Sequence, residues 1–305
     1  MKTEAYDLTD NTKMYWLQTI TPLHVGAGKG VGFVDMPIMR EKITEWPLVP
    51  GSAVKGVMRD HFKQKKTDEA VMDVVFGKMA GDGSSNAGSL VLTDAHIVCL
   101  PVCSLYGTFA YVTSPLVLER LRRDLEAAGY EELPETPSPE KEQAFYVEQS
   151  SLFPEKEERS GKKIFLEDLD FTAVYNDAAN AWAERLAGML FSDTDKWRTV
   201  FKKRFVVLSD DCFTFLTKTG TEVAVHIRIK DETKIVDKGG LWYEESLPGE
   251  TILAGLAWCD RVFGSNGLTE DEILAKFCPN TGLNLQLGGK ATVGKGRVKC
   301  FFTEG

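Results

Sequence analysis

Apolar and polar positions along this chain switch repeatedly between a two-residue and a 3.6-residue period. KMYWLQTI, Lys13 to Ile20, is aromatic and β-favouring and stops at a Thr-Pro break, so it predicts a strand. In SAVKGVMRDHFKQKK the apolar Val54, Val57, Met58 and Phe62 fall near helical spacing, with Ser52 placed to cap the helix. Thr67 to Phe76 predicts a second short helix, and GDGSSNAGS a loop. SLVLTDAHIVCLPV, interrupted by Asp94, and GTFAYVTSP read as strands. PLVLERLRRDLEAAG reads as a helix stopped by Gly129. Beyond it, KKIFLEDLDF is strand-like, DAANAWAERLAGML helical, and KRFVVLSD and EVAVHIRI are strands. DETKIVDKGG is a turn-rich excursion before the returning strands LWYEESLP and TILAGLAWC. Leu268 to Phe277 is helical, and LNLQLGGKATVGKGRVKCFF is two strands joined by a turn of glycines and lysines. The elements mix without a regular βαβ beat, which predicts an α+β fold on an antiparallel sheet.

Composition alters this picture little. Of 305 residues, 43% are hydrophobic and 27% charged, ordinary for a globular chain. No apolar run reaches bilayer-spanning length, and the start, MKTEAYDLTDNTK, is polar and acidic, so no membrane association and a cytoplasmic location are expected. Six scattered cysteines read as reduced thiols, and CxxxC at Cys99 and Cys103 lacks a second pair for zinc. The formal charge of −9 argues against nucleic acid at face value. Its distribution weakens that objection. Glu119 to Asp170 holds 15 acidic and 8 basic residues, whereas Gln286 to Cys300 holds four basic residues and no acidic one. From Tyr130 to Gly161 the chain turns Pro- and Glu-rich and reads as an irregular acidic insertion.

Three stretches carry candidate chemistry. The first, from Thr21 to Glu41, threads Gly26, Gly28, Gly30 and Gly32 around Lys29 and ends near one carboxylate, Asp35. It is neither a Walker loop nor a dinucleotide fingerprint, because no Lys-Ser/Thr pair and no immediate helix follow. Taken alone, it reads as a loop that turns. The second is GSAVKGVMR, where Lys55 and Arg59 share a helix face and the N–H groups beside Ser52 form a phosphate seat. From those two cations alone, a solvated basic face is the simpler reading. The third is GGKATVGKGRVK, with Gly288, Gly289, Lys290, Gly294, Lys295, Gly296 and Arg297. Together they combine exposed backbone and cations, which suits a sugar–phosphate strand read by shape.

LHVGAGKGVGFVDMPIMRE, PLVPGSAVKGVMRD, GGLWYEESLPGETIL and LQLGGKATVGKGR resemble, in this order, the backbone subunit of type III-B CRISPR effectors, a branch of the RAMP superfamily. The resemblance implies one RAMP-type domain over residues 1–305, with a ferredoxin-like, RRM-like palm. It implies a thumb hairpin near Ile229 to Leu241. It implies copies stacked as a filament on a guide crRNA, further subunits of the Cmr complex, and a target RNA whose nucleotides flip out at intervals. Gly288, Gly289, Lys290, Gly294, Lys295, Gly296 and Lys55 would hold the guide backbone. Asp35 would be the cleavage residue, His24 and Glu244 further catalytic candidates, and the acidic pair Glu244 and Glu245 a support for the active centre or a neighbouring subunit. Ser246 departs from the tyrosine common there.

The implied chemistry is coherent. RNA carries its own nucleophile, the 2′-hydroxyl, so positioning does much of the work. A divalent ion, Mg²⁺ or Mn²⁺, with Asp35 as its protein ligand, would neutralise phosphoryl charge; acting as a base and orienting the loop are the other roles open to Asp35. The expected ends are a 2′,3′-cyclic phosphate and a 5′-hydroxyl. Two alternatives stay open: a non-catalytic RNA-binding scaffold, and a metabolic enzyme cradling a phosphorylated small molecule.

Overall fold

The computed structural model describes residues 11–28, 30, 34–78, 86–154, 162–192, 194–230, 232–264 and 267–305. The first part of the chain forms β1 (Thr12–Thr19), β2 (Leu48–Val49), α1 (Gly51–Gln64), α2 (Glu69–Phe76), β3 (Val91–Leu92), β4 (Ala95–Ser104), β5 (Thr108–Thr113) and α3 (Pro115–Ala127). The middle forms β6 (Gln143–Tyr146), β7 (Lys163–Leu166), β8 (Leu169–Tyr175), α4 (Asp177–Leu190), α5 (Asp195–Arg204), β9 (Phe205–Val207) and α6 (Asp210–Thr219). The last part forms β10 (Glu222–Ile229), β11 (Val236–Ser246), β12 (Ile252–Trp258), α7 (Glu270–Phe277), β13 (Leu283–Gln286) and β14 (Arg297–Thr303).

The order β14-β1-β12-β4 is the antiparallel ferredoxin-like palm, with α1 leading from β1 towards β4 and α7 from β12 towards β14. Beyond β4 the sheet continues through β5, β9, β6, β8 and β7. Pairing of Ser104 with Leu166 then brings β7 back to β4 as a six-strand ring. β10 and β11 form a separate two-stranded sheet.

Both palm faces are covered, which explains why β1 is almost continuously apolar. Tyr15 and Leu17 face the layer of α1, α2 and α7, where Phe62, Phe76 and Phe277 pack ring to ring. Met14 and Trp16 face the opposite layer, with Leu118, Leu121 and Leu125 of α3 and Trp182 and Leu186 of α4. Every one of these β1 side chains is fully buried, a burial worth about 1.5–3 kcal/mol for each large apolar residue. No helix among the described residues is long and apolar enough to cross a membrane.

Several expectations need correction. α1 starts at Gly51, not after Ser52, because Gly51 tucks under the carbonyls of Leu92 and Thr93, where a Cβ would lie 2.4 Å from oxygen. Asp94 Oδ1 accepts the Gly51 N–H at 2.8 Å and does the capping; Ser52 lies exposed in the first turn. The acidic insertion is not wholly irregular. β6 lies within it and pairs with β8 and β9, a four-residue strand too short for alternation to reveal. Residues 155–161 of that insertion lie outside the described residues. α5 and α6 had no forecast: α5 buries only Phe201, and the Phe- and Thr-rich α6 is β-favouring in composition. The hairpin spans Glu222 to Ser246, so Ile229 to Leu241 is its distal half, and strand resumes at Val236 inside the expected excursion.

Candidate nucleic-acid interface and carboxylate loop

β1 runs antiparallel to both β12 and β14. The exit of β1, the approach to β12 and the approach to β14 therefore share one end of the palm. Three segments far apart in sequence meet there. Ile20 N donates to Arg297 O at 2.8 Å, Gly296 N to Pro22 O at 2.8 Å, and Gly289 N to His24 O at 3.0 Å. Leu23 and Leu247 exchange both backbone bonds, at 2.8 and 2.9 Å. The close approach requires glycine at two positions. A Cβ on Gly288 (φ +68°) would lie 2.2 Å from His24 O, and one on Gly296 (φ +83°) 2.1 Å from Leu287 O.

The first glycine loop doubles back on itself and leans on β11. Ala27 N donates to Pro37 O at 2.9 Å and Met39 N to Val25 O at 2.8 Å. Met36 N then donates to Tyr243 O at 3.1 Å, and Glu245 N to Met36 O at 3.0 Å. Asp35 is exposed between these bonds. Its Oδ2 accepts the Tyr243 N–H at 2.8 Å, which fixes one carboxylate oxygen against the strand. His24, Gly26, Gly28, Gly30, Asp35 and Met36 line a groove of about 720 Å³. Lys29 lies outside the described residues.

His24 is buried, and its Nδ1 lies 2.6 Å from the Glu245 carbonyl oxygen. A carbonyl only accepts, so Nδ1 carries a proton, and in the tautomer this selects Nε2 is the acceptor nitrogen. The Glu245 carboxylate is spent on the loop. Oε2 accepts the Ile38 N–H at 3.1 Å, and Oε1 accepts from Arg40 Nη2 at 2.6 Å and Thr221 Oγ1 at 2.9 Å.

Glu244 corrects an expectation. Its side chain is wholly sealed from solvent, so it cannot touch a substrate. Lys295 Nζ donates to Oε1 at 2.9 Å and to Ser246 Oγ at 2.9 Å, and Lys290 Nζ lies 3.1 Å from Oε2. Burial alone would raise the Glu244 pKa, but the hydrogen bonds and charges of Lys295 and Lys290 outweigh it and hold it below the ordinary value. Lys290 also sits 5.8 Å from the Trp242 ring centroid, and Trp242 stacks on His226 at 5.4 Å. The ammonium groups expected to grip a phosphate thus brace the hairpin root from within. Arg297, exposed at the start of β14, keeps its side chain on the surface.

The seat forecast at the start of α1 is likewise occupied from inside. Besides the Asp94 cap, Lys55 Nζ donates to Leu90 O at 2.6 Å and Arg59 lies 3.4 Å from Asp73. Burial, then the neighbouring Arg59, lowers the Lys55 pKa. That bond uses one of the three ammonium donors of Lys55 and aims the group away from the helix N-terminus.

A more enclosed cavity of about 200 Å³ lies elsewhere, beside Glu41, Trp46, His96 and Arg120. Its polar groups are already paired. Glu41 takes Arg120 through both oxygens, at 3.0 and 2.9 Å, and His96 Nδ1 at 2.6 Å. Burial would raise the Glu41 pKa, yet bonds from His96, Thr44 and Arg120 hold it at about 2. This clamp was not foreseen, because its partners are scattered over 79 positions of sequence. Among the described residues no group of three or more His, Cys, Asp or Glu forms a metal cage. Of the described residues lining the groove, Asp35 carries the carboxylate and His24 the imidazole.

A CRISPR system Cmr endoribonuclease Cmr4 of Pyrococcus furiosus is 35% identical over 94% of this chain and 94% of its own length. The crystal structure of oligomeric Cmr4 from Pyrococcus furiosus superposes with a TM-score of 0.71 at 28% identity, covering 96% of this chain and 98% of that one. A type III-B Cmr-beta complex bound to cognate target RNA contains a chain with a TM-score of 0.71 at 19% identity, covering 95% of this chain and 96% of that one, a likeness of fold. The RAMP superfamily profile matches residues 16–299, nearly the whole described chain, and the protein belongs to the RAMP superfamily.

Proposed function

We propose that this chain is the RNA-binding backbone subunit of a type III-B CRISPR effector, acting in the cytoplasm. It assembles with copies of itself and other Cmr subunits along a guide RNA and cleaves the paired target. The observation that carries the reading is the meeting of the glycine segments around 24 and 288 beside an exposed Asp35. The Pyrococcus relative, by name an endoribonuclease, and its oligomeric crystal form support it.

In this reading the chain positions rather than reacts covalently. Asp35 Oδ2 stays on the Tyr243 N–H, leaving Oδ1 to face the target. The 2′-oxygen bonds to phosphorus, the bond from phosphorus to the 5′-oxygen breaks, and that oxygen takes a proton. The products are a 2′,3′-cyclic phosphate and a 5′-hydroxyl. His24 Nε2, in the groove wall, is the group able to hold the 2′-hydroxyl proton. A Mg²⁺ or Mn²⁺ ion fits one carboxylate oxygen completed by water and phosphate oxygens, and would supply charge neutralisation at the phosphoryl group.

The test is Asp35→Asn in a reconstituted effector. Cutting should be lost while target affinity is retained; unchanged cutting removes Asp35 from the mechanism and leaves the scaffold reading.

A further inference from the structure

One residue ties the whole carboxylate loop to the hairpin. Glu245 donates its N–H to Met36 O at 3.0 Å and accepts the His24 imidazole on its carbonyl at 2.6 Å. Its carboxylate accepts the Ile38 N–H and the Arg40 guanidinium, at 3.1 and 2.6 Å. The incoming limb, at His24, and the outgoing limb, at Met36, Ile38 and Arg40, therefore hang from a single position of β11. Arg40 extends the tie, donating to Thr217 O of α6 at 3.0 Å and to Glu45 O at 2.7 Å. The side chain is buried, so it meets no substrate.

We infer that Glu245, together with Arg40, is the positioning unit of the cleavage loop, making the place of Asp35 follow the hairpin root. The inference rests on the proposed function. Two residues from Glu245, the Tyr243 N–H holds Asp35, so the two anchors share one strand. A shift of β11 is transmitted to the carboxylate without slack. Hydrogen bonds to a buried charged acceptor are the strong kind, and an unsatisfied Ile38 N–H or Arg40 would be left if the carboxylate were removed.

The experiment uses the assembled effector with guide and saturating target, cleavage being followed in single turnover. Glu245→Ala should slow cutting on the order of 10²-fold, the scale of an ångström's misplacement, with target affinity unchanged. Amide exchange at Met36 and Ile38 should accelerate. Glu245→Gln keeps an acceptor for Ile38 and should recover most of the rate; it carries the test if the alanine variant does not fold. Wild-type cutting by Glu245→Ala, unchanged exchange, or affinity falling in step with rate would overturn the inference. So would a glutamine variant that folds but stays as slow as expected for alanine. Asp35→Asn run in parallel separates the levels. If it cuts normally the parent reading fails, whereas a dead Asp35→Asn beside a fully active Glu245→Ala sinks only the positioning role.

Discussion

Replacing Lys295 with alanine removes one of two cations from a carboxylate that has no solvent. The Glu244 side chain is 0% exposed and Lys295 16%, so the pair is internal rather than a surface bridge. Breaking one side of a buried pair costs about 3–5 kcal/mol, because the stranded charge stays buried. Lys290 remains 3.1 Å from the other oxygen, and its side chain is 32% exposed, so part of the neutralisation survives. The expected loss is at the lower end, about 3 kcal/mol. Urea denaturation of the full chain measures it, with Glu244→Gln and the double variant closing a cycle. Glutamine carries no charge to strand, so the double variant should lie within about 1 kcal/mol of Glu244→Gln alone. Guide retention is then read on the same proteins. If Lys295 is a brace, the double variant retains guide; if Lys295 grips phosphate directly, it does not. A loss under about 1 kcal/mol for Lys295→Ala, with strict additivity, would refute the internal-brace reasoning.

Acid sensitivity follows from Glu41, whose pKa falls from 4.5 to about 2 on folding. Its contribution is complete above pH 4.5 and is lost as pH drops towards 2, so denaturation midpoints of wild type and Glu41→Gln should converge across that window. Glu244, also lowered, adds loss below the ordinary carboxylate range, with the same sign. Gly294→Ala meets nothing within 4 Å but sits at φ +83°, so it should cost about 1–2 kcal/mol in denaturation. Gly288→Ala adds a clash with His24 O and should cost more, and it should release guide in a retention assay by prising the two loops apart.

The hydrophobic pattern made the palm legible because its strands and helices are long and its core faces are periodic. Tyr15 and Leu17 against Met14 and Trp16, and Val54, Met58 and Phe62 in α1, state their burial in their spacing. β6 and α5 did not, since a four-residue strand and a helix burying one phenylalanine leave almost no period to read. The convergence of the glycine segments was legible only through resemblance. No local signal says that β1 lies between β12 and β14, yet that antiparallel order is what brings positions 22, 247 and 296 to one end of the sheet. Charge was the least legible part. A lysine among glycines looks free in sequence, and its ownership depends on a carboxylate 51 residues away that only the fold brings within reach. Glu244 and Glu245 show the consequence. They are adjacent in sequence and identical in chemistry, but strand alternation points them to opposite faces of β11, one towards the lysine loop and the other towards the Asp35 loop. A single strand register thus sets two separate braces, and a one-residue slip would exchange them and undo both.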